Sequence, residues 1–257
     1  MRTVVATRYV TPLREGGSLP AIVEADDDGV YVLKFRGAGQ GPKSLIAELV
    51  AGEIARALGL LVPEIVFIEL DPELARTEPD PEIQDLIRAS AGLNLALDYL
   101  PGSVTFDPIA ETIDPDLASA IVWLDAYVTN IDRTPRNTNM LIWHRRLWLI
   151  DHGAALYFHH TWKNYLERNR DPFPAIKNHV LLPFASALQT VDSELTERLS
   201  VEVIDKIVQL IPDDWLVDAP FRDIQQHRDA YIEYLLKRLE PPHLFWEEAI
   251  RARSVDL

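Results

Sequence analysis

The hydrophobic pattern turns from mainly strand-like to mainly helical at Pro101-Gly102, and that change limits the folds open to the chain. Upstream, apolar residues come in short runs between turn residues. Residues 4–10 read as a strand, Gly16-Gly17-Ser18 as a turn, and 21–24 and 30–35 as a hairpin closed by Asp26-Asp27-Asp28-Gly29. Residues 65–70 and 93–100 also suit strands, separated by an acidic, Pro-containing stretch at 71–82 and a short helical pattern at 83–89. A longer helix interrupts this half: Leu45, Leu49, Ile54 and Leu58 recur near helical spacing after a Gly-rich segment, with Gly59 placed to end it. Downstream, Leu117, Ile121, Leu124 and Val128 keep one apolar face, and helical patterns run from Leu188 to the end. Between them lies one β-like hairpin, 140–143 and 147–150, turned by His144-Arg145-Arg146. The expected class is α+β, with a β-rich part at residues 1–101 and a mainly helical part at 102–257.

Composition narrows the partners. The 257 residues carry 25 Lys and Arg against 40 Asp and Glu, a formal charge of −15. Phosphate backbones and anionic lipid headgroups bind clustered cations, so nucleic acid and membrane surfaces are not expected partners. The balance hints at a basic partner, although net charge speaks to association more than to identity. Cysteine is absent, which removes thiol catalysis, disulfides and iron–sulfur clusters. The first residues lack the apolar run of a secretion signal, and no stretch is apolar for the roughly 18 residues a span needs, so a cytoplasmic protein is expected.

The chemistry concentrates in Asn130-Ile131-Asp132-Arg133-Thr134-Pro135-Arg136-Asn137-Thr138-Asn139, the hairpin after it, and then Asp151-His152-Gly153. Phosphoryl transfer needs a carboxylate to orient the attacking hydroxyl and oxygen ligands to hold Mg²⁺ against the phosphates; Asp132, Asn137 and Asp151 supply those groups. Asn139 directly precedes the strand and competes with Asn137 as the ligand. On the strand of the β-rich half, Lys34 suits the phosphates of a nucleotide if a helix carboxylate fixes it. Glu48 is the first choice for that carboxylate and Glu53 its competitor. Backbone N–H groups of Gly16, Gly17 and Ser18 could approach phosphate oxygens, and Asp98, Tyr99 and Leu100 stand where a hinge would meet an adenine. His152, His159 and His160 fit no compact zinc spacing and read as surface or packing residues, and Trp123, Tyr127, Trp143 and Trp148 as core aromatics.

The order of these groups resembles the HipA-like kinases and, more remotely, phosphatidylinositol 3-kinases and aminoglycoside phosphotransferases. The resemblance covers most of the first 160 residues. It implies a two-lobed protein-kinase-like fold in which Asp132 is the catalytic base, Asn137 (or Asn139) and Asp151 bind magnesium, and Lys34 contacts ATP. It further implies a protein Ser/Thr acceptor ahead of a small-molecule hydroxyl, an antitoxin-like partner for some members, and Ser18 as a position for autophosphorylation. The chain departs from eukaryotic protein kinases in having Asn130-Ile131-Asp132 for His-Arg-Asp and Asp-His-Gly for Asp-Phe-Gly, and its glycine loop is sparse. Transfer of AMP, an inactive nucleotide-binding module, and a structural helical protein with a coincidental motif are the competing readings.

Overall fold

The computed structural model describes residues 1–13, 19–217, 220–241 and 243–255. Strands β1 (Thr3–Pro12), β2 (Ala21–Ala25) and β3 (Val30–Lys34) run as an antiparallel meander, followed by α1 (Pro42–Ala57), β4 (Ile65–Leu70), α2 (Pro81–Ala89) and β5 (Gly92–Asp98). The strands pair in the order β1-β2-β3-β5-β4, and parallel pairing of β1 with β4, Val4 opposite Ile68, closes them into a barrel. Strand alternation then sorts the side chains. Tyr31 and Leu33 of β3, Val66 and Ile68 of β4 and Ala96 of β5 join the core that fills the barrel. Lys34, next to Leu33, is thereby turned to the outer surface, as are Ile65, Leu95 and Leu97, which pack with α1.

α1 starts at Pro42, whose missing N–H is no loss in a first turn, and Gly41 before it holds φ 66°. At its far end Gly59 takes φ 85° and donates to Arg56 O at 3.0 Å, the left-handed stop expected for that position. The helix is buried on nearly every side, Leu45 through Gly52 included, because the barrel covers one face and the helical half the other.

That half comprises β6 (Val104–Thr105), α3 (Pro115–Tyr127), β7 (Met140–Trp143), β8 (Arg146–Leu149), the single turn α4 (Tyr165–Arg168), then α5 (Leu188–Arg198), α6 (Val201–Val208), α7 (Ile224–Arg238) and α8 (Leu244–Val255). The hairpin turn is two residues, not three: His144 and Arg145 both have positive φ, while Arg146 already pairs with Trp143. β6 adds a third strand through Val104 opposite Ile142, an element too short to leave a period in the sequence. α3 is capped by Asp114, which accepts from the N–H groups of Asp116 and Leu117. It is buried at Ala118, at Ser119 and from Ile121 to Tyr127 instead of along one face. Its polar groups allow this because they have partners: Trp123 Nε1 donates to Asp192 Oδ1 at 2.7 Å and Tyr127 OH to Leu235 O at 3.1 Å. Among the described residues no helix is long and apolar enough to cross a membrane.

Arg238 of α7 closes the C-terminal end of α3. Its buried guanidinium donates to Ala126 O at 2.9 Å, Tyr127 O at 2.8 Å and Asn169 O at 2.8 Å, and lies 5.0 Å from the centre of the Phe245 ring. Arg238→Met keeps the apolar stem but leaves these carbonyls unpaired, and is expected to destabilise the protein by about 3 kcal/mol. A denaturant-unfolding midpoint equal to that of the parent would contradict this role.

Candidate active site

Three elements bring Lys34, Glu48 and Asp151 together. Lys34 Nζ lies 2.5 Å from Asp151 Oδ1 and 3.3 Å from Glu48 Oε2. Strand β3 points the lysine outward, and α1 presents Glu48 toward it from a side chain that is almost wholly buried. Asp151 follows β8 at a positive φ of 57° and keeps 38% of its side chain exposed. Burial alone would lower the Lys34 pKa, but Glu48 and Asp151 beside it raise it above the ordinary value. Burial alone would likewise raise the Glu48 carboxyl, yet Lys34 and His152 hold it below the usual carboxylate range. Glu53, the competing carboxylate, lies elsewhere on α1 and pairs with Arg56 at 3.5 Å.

His152 links the same carboxylate to the strand end. Its backbone N–H donates to Glu48 Oε2 at 2.9 Å, and its Nδ1 lies 3.4 Å from Oε1. The ring is fully buried against α1 at Gly52. His152 and His159 are both fully buried.

The loop before β7 holds Asp132 by its neighbours. Asn137 Nδ2 donates to Asp132 Oδ2 at 2.7 Å and Asn139 Nδ2 to the same oxygen at 3.2 Å. The two asparagines differ in setting. Asn137 is exposed at the end of a tight turn that bridges it to Thr134. Asn139 is buried at φ 49°, and its carbonyl accepts from Ile150 N–H at 3.0 Å, so the hairpin register sets it beside Asp151.

Beneath this loop runs a charged network that the sequence reading passed over. Arg133 is fully buried and donates from Nε to Asp125 Oδ2 at 2.6 Å and from Nη1 to the carbonyl of Asn139. Asp125, on α3, also accepts from Asn130 Nδ2 at 2.9 Å and from His179 Nε2 at 2.8 Å. The tautomer follows from geometry, since His179 Nδ1 accepts the Leu181 N–H at 3.0 Å and the proton therefore sits on Nε2. Burial opposes the Asp125 charge, but Arg133 and the His179 hydrogen bond hold its carboxyl well below the usual range; burial keeps His179 neutral by pushing its pKa down. A buried Asp inside the apolar run 121–128 was the available signal, because such a charge demands a partner. Lys43 is a second unforeseen link, donating from α1 to His159 O at 2.8 Å.

The remaining expected groups are placed as follows. Gly16, Gly17 and Ser18 lie outside the described residues. Asp98 ends β5 and donates to Glu64 O at 2.8 Å, and Tyr99 donates to Val30 O at 3.0 Å. Those two backbone N–H groups are thus engaged within the sheet.

Comparison with known proteins adds three findings. A family model described as HipA-like kinase matches residues 7–249. Among solved structures, the Helicobacter pylori proinflammatory kinase CtkA is similar at a TM-score of 0.56 and 14% identity, covering 99% of both chains. The Golgi casein kinase is similar at a TM-score of 0.52 and 14% identity, over 96% of this chain and 74% of that one, and a structure of it with Mn and ADP bound scores 0.51 at 12% identity, over 99% and 75%. No curated protein matches.

Proposed function

Since this chain belongs to the HipA-like kinase family, we propose that it transfers the γ-phosphoryl group of ATP to a Ser or Thr hydroxyl in a Mg²⁺-dependent reaction. The convergence of Lys34, Glu48 and Asp151 carries the reading. A buried lysine held by a helix carboxylate and facing a half-exposed aspartate is an arrangement that suits nucleotide phosphates. In this reading the molecule has two lobes, residues 1–101 and 102–257, with ATP between them. Lys34 moves its contact from Asp151 to the phosphates while Glu48 and His152 keep it in place. The adenine meets the backbone near Leu100, beyond the engaged N–H groups of Asp98 and Tyr99.

The acceptor hydroxyl gives its proton to Asp132 as its oxygen bonds the γ-phosphorus. The bond from that phosphorus to the bridging oxygen breaks, and ADP leaves with the electron pair. Asn137 and Asn139 orient the Asp132 carboxylate through their amide donors. The donor set of one carboxylate and one amide oxygen suits a hard divalent cation. Asp151 and Asn139 would hold it, Asn139 in preference to Asn137 because the hairpin register sets it beside Asp151. Mg²⁺ bound there would neutralise charge on the phosphates.

Calorimetric titration of ATP with and without Mg²⁺ tests this. Binding is expected to require Mg²⁺ and to weaken roughly tenfold or more in Asp151→Asn, the scale of losing one charged ligand. Absence of ATP binding in either condition would overturn the reading.

A further inference from the structure

The formal charge of the chain is not evenly spread. Residues 130–179 hold eight Lys or Arg against four Asp or Glu, a net of +4, while the remainder holds 17 against 36, a net of −19. Of these cations, Arg145 and Arg146 stand apart at the turn between β7 and β8, and the segment that carries Lys163, Arg168, Arg170 and Lys177 is tied at both ends beside Asp132. Leu156 N–H donates to Val128 O at 2.7 Å and Tyr157 N–H to Thr129 Oγ1 at 3.2 Å, just before the catalytic loop. Val180 N–H donates to Arg133 O at 3.1 Å, just after Asp132. The excursion from 156 to 180 therefore leaves from one side of Asp132 and returns to the other.

Several of its cations are already committed. Arg133 is buried on Asp125, Arg170 pairs with Glu240 at 3.3 Å, and Arg168 donates to Thr161 Oγ1 at 3.4 Å. Arg136, Lys163 and Lys177 are exposed, and among the described residues none of them is paired with a carboxylate. Arg136 sits in the tight turn that closes the catalytic loop, and Lys177 two residues before His179 of the Asp125 network. Two apolar side chains lie beside the same loop, Ile131 at 45% and Tyr157 at 52% exposure.

We propose that the acceptor is an acidic polypeptide segment, seated across the catalytic loop and the 156–180 excursion, with Arg136, Lys163 and Lys177 meeting its carboxylates and Ile131 and Tyr157 its apolar side chains. This rests on the phosphotransfer reading above, and the transfer is the one written there. Complementary charge both attracts such a segment and sets its register, while the acidic remainder of the surface repels it from every other face. The same remainder disfavours nucleic acid, whose phosphates would extend beyond this patch onto carboxylates.

The test uses the full chain with ATP and Mg²⁺ and three Ser-containing peptides of one length, flanked by Glu, by Gln or by Lys. Transfer is expected to the Glu peptide with KM roughly tenfold below the others, as several rim charge pairs acting together would give. The triple variant Arg136→Glu, Lys163→Glu, Lys177→Glu is expected to lose or invert that preference while still binding ATP. In parallel, fluorescence anisotropy of a labelled Glu peptide should show binding that weakens with salt and in the triple variant. Transfer without preference, or preference for the Lys peptide, overturns the proposal and leaves phosphotransfer standing. ATP binding without any binding of the Glu peptide also overturns it, and so does equal binding of a single-stranded DNA oligonucleotide of matched charge. Loss of ATP binding in the parent protein removes the phosphotransfer reading itself.

Discussion

Asp132→Ala is expected to lower phosphoryl transfer by roughly 10³-fold while ATP binding stays within a few-fold of the parent, the magnitude of removing one positioned proton acceptor. The asymmetry follows from placement. Asp132 stands on the loop before β7 and makes its side-chain contacts with Asn137 and Asn139, whereas Lys34, the group assigned to the phosphates, is held by Glu48 and Asp151 from other elements. Removing the carboxylate therefore leaves the phosphate side of the site intact. Single-turnover transfer and ATP calorimetry on the same preparation separate the two effects. A variant with parental transfer rates would remove Asp132 from the chemistry, and one that had lost ATP binding would assign it to the phosphate site instead.

Asp125→Ala should have the largest effect on stability. The substitution leaves the buried Arg133 guanidinium without its carboxylate and deprives Asn130 and His179 of their shared acceptor. Stranding a buried charge in this way costs about 3–5 kcal/mol, which for a chain of this size lowers Tm by roughly 10 °C. Activity should fall with it, because Arg133 is also bonded to the carbonyl of Asn139 and so ties the loop that holds Asp132 to the start of β7. Thermal unfolding by circular dichroism measures the first effect. A Tm within about 2 °C of the parent would mean that the network is dispensable. Asp125→Asn, which keeps the shape and one acceptor oxygen, should fall between the two.

What the sequence disclosed and what it withheld divide along a physical line. That Lys34, Glu48 and Asp151 belong together was legible because each is a polar residue set into a local pattern, a strand, a helix or a strand end, readable within a few residues. Barrel closure was not, since β1 meets β4 by parallel pairing with Thr3 opposite Phe67, and no turn announces a contact across that separation. The Asp125–Arg133–His179 network was hidden for the same reason: its members come from α3, the loop before β7 and the end of the 156–180 excursion. The different settings of Asn137 and Asn139, one exposed on a tight turn and the other buried at the start of the hairpin, depend on a register that the sequence left open. The sequence also did not show that the backbone N–H groups of Asp98 and Tyr99 are taken up by Glu64 and Val30.

α1 belongs by chain order to the β-rich half, yet its apolar residues share one core with α3, α6, α7 and α8, while the barrel keeps a separate core of its own. Cutting the chain near residue 101 would therefore strip α1 of half its cover and the helical half of a central wall, and neither fragment would inherit a complete interior. The helix that carries Glu48 melts with the helices and not with the strands, so heat or denaturant should abolish the Lys34 contact in the same transition that dissolves the larger core.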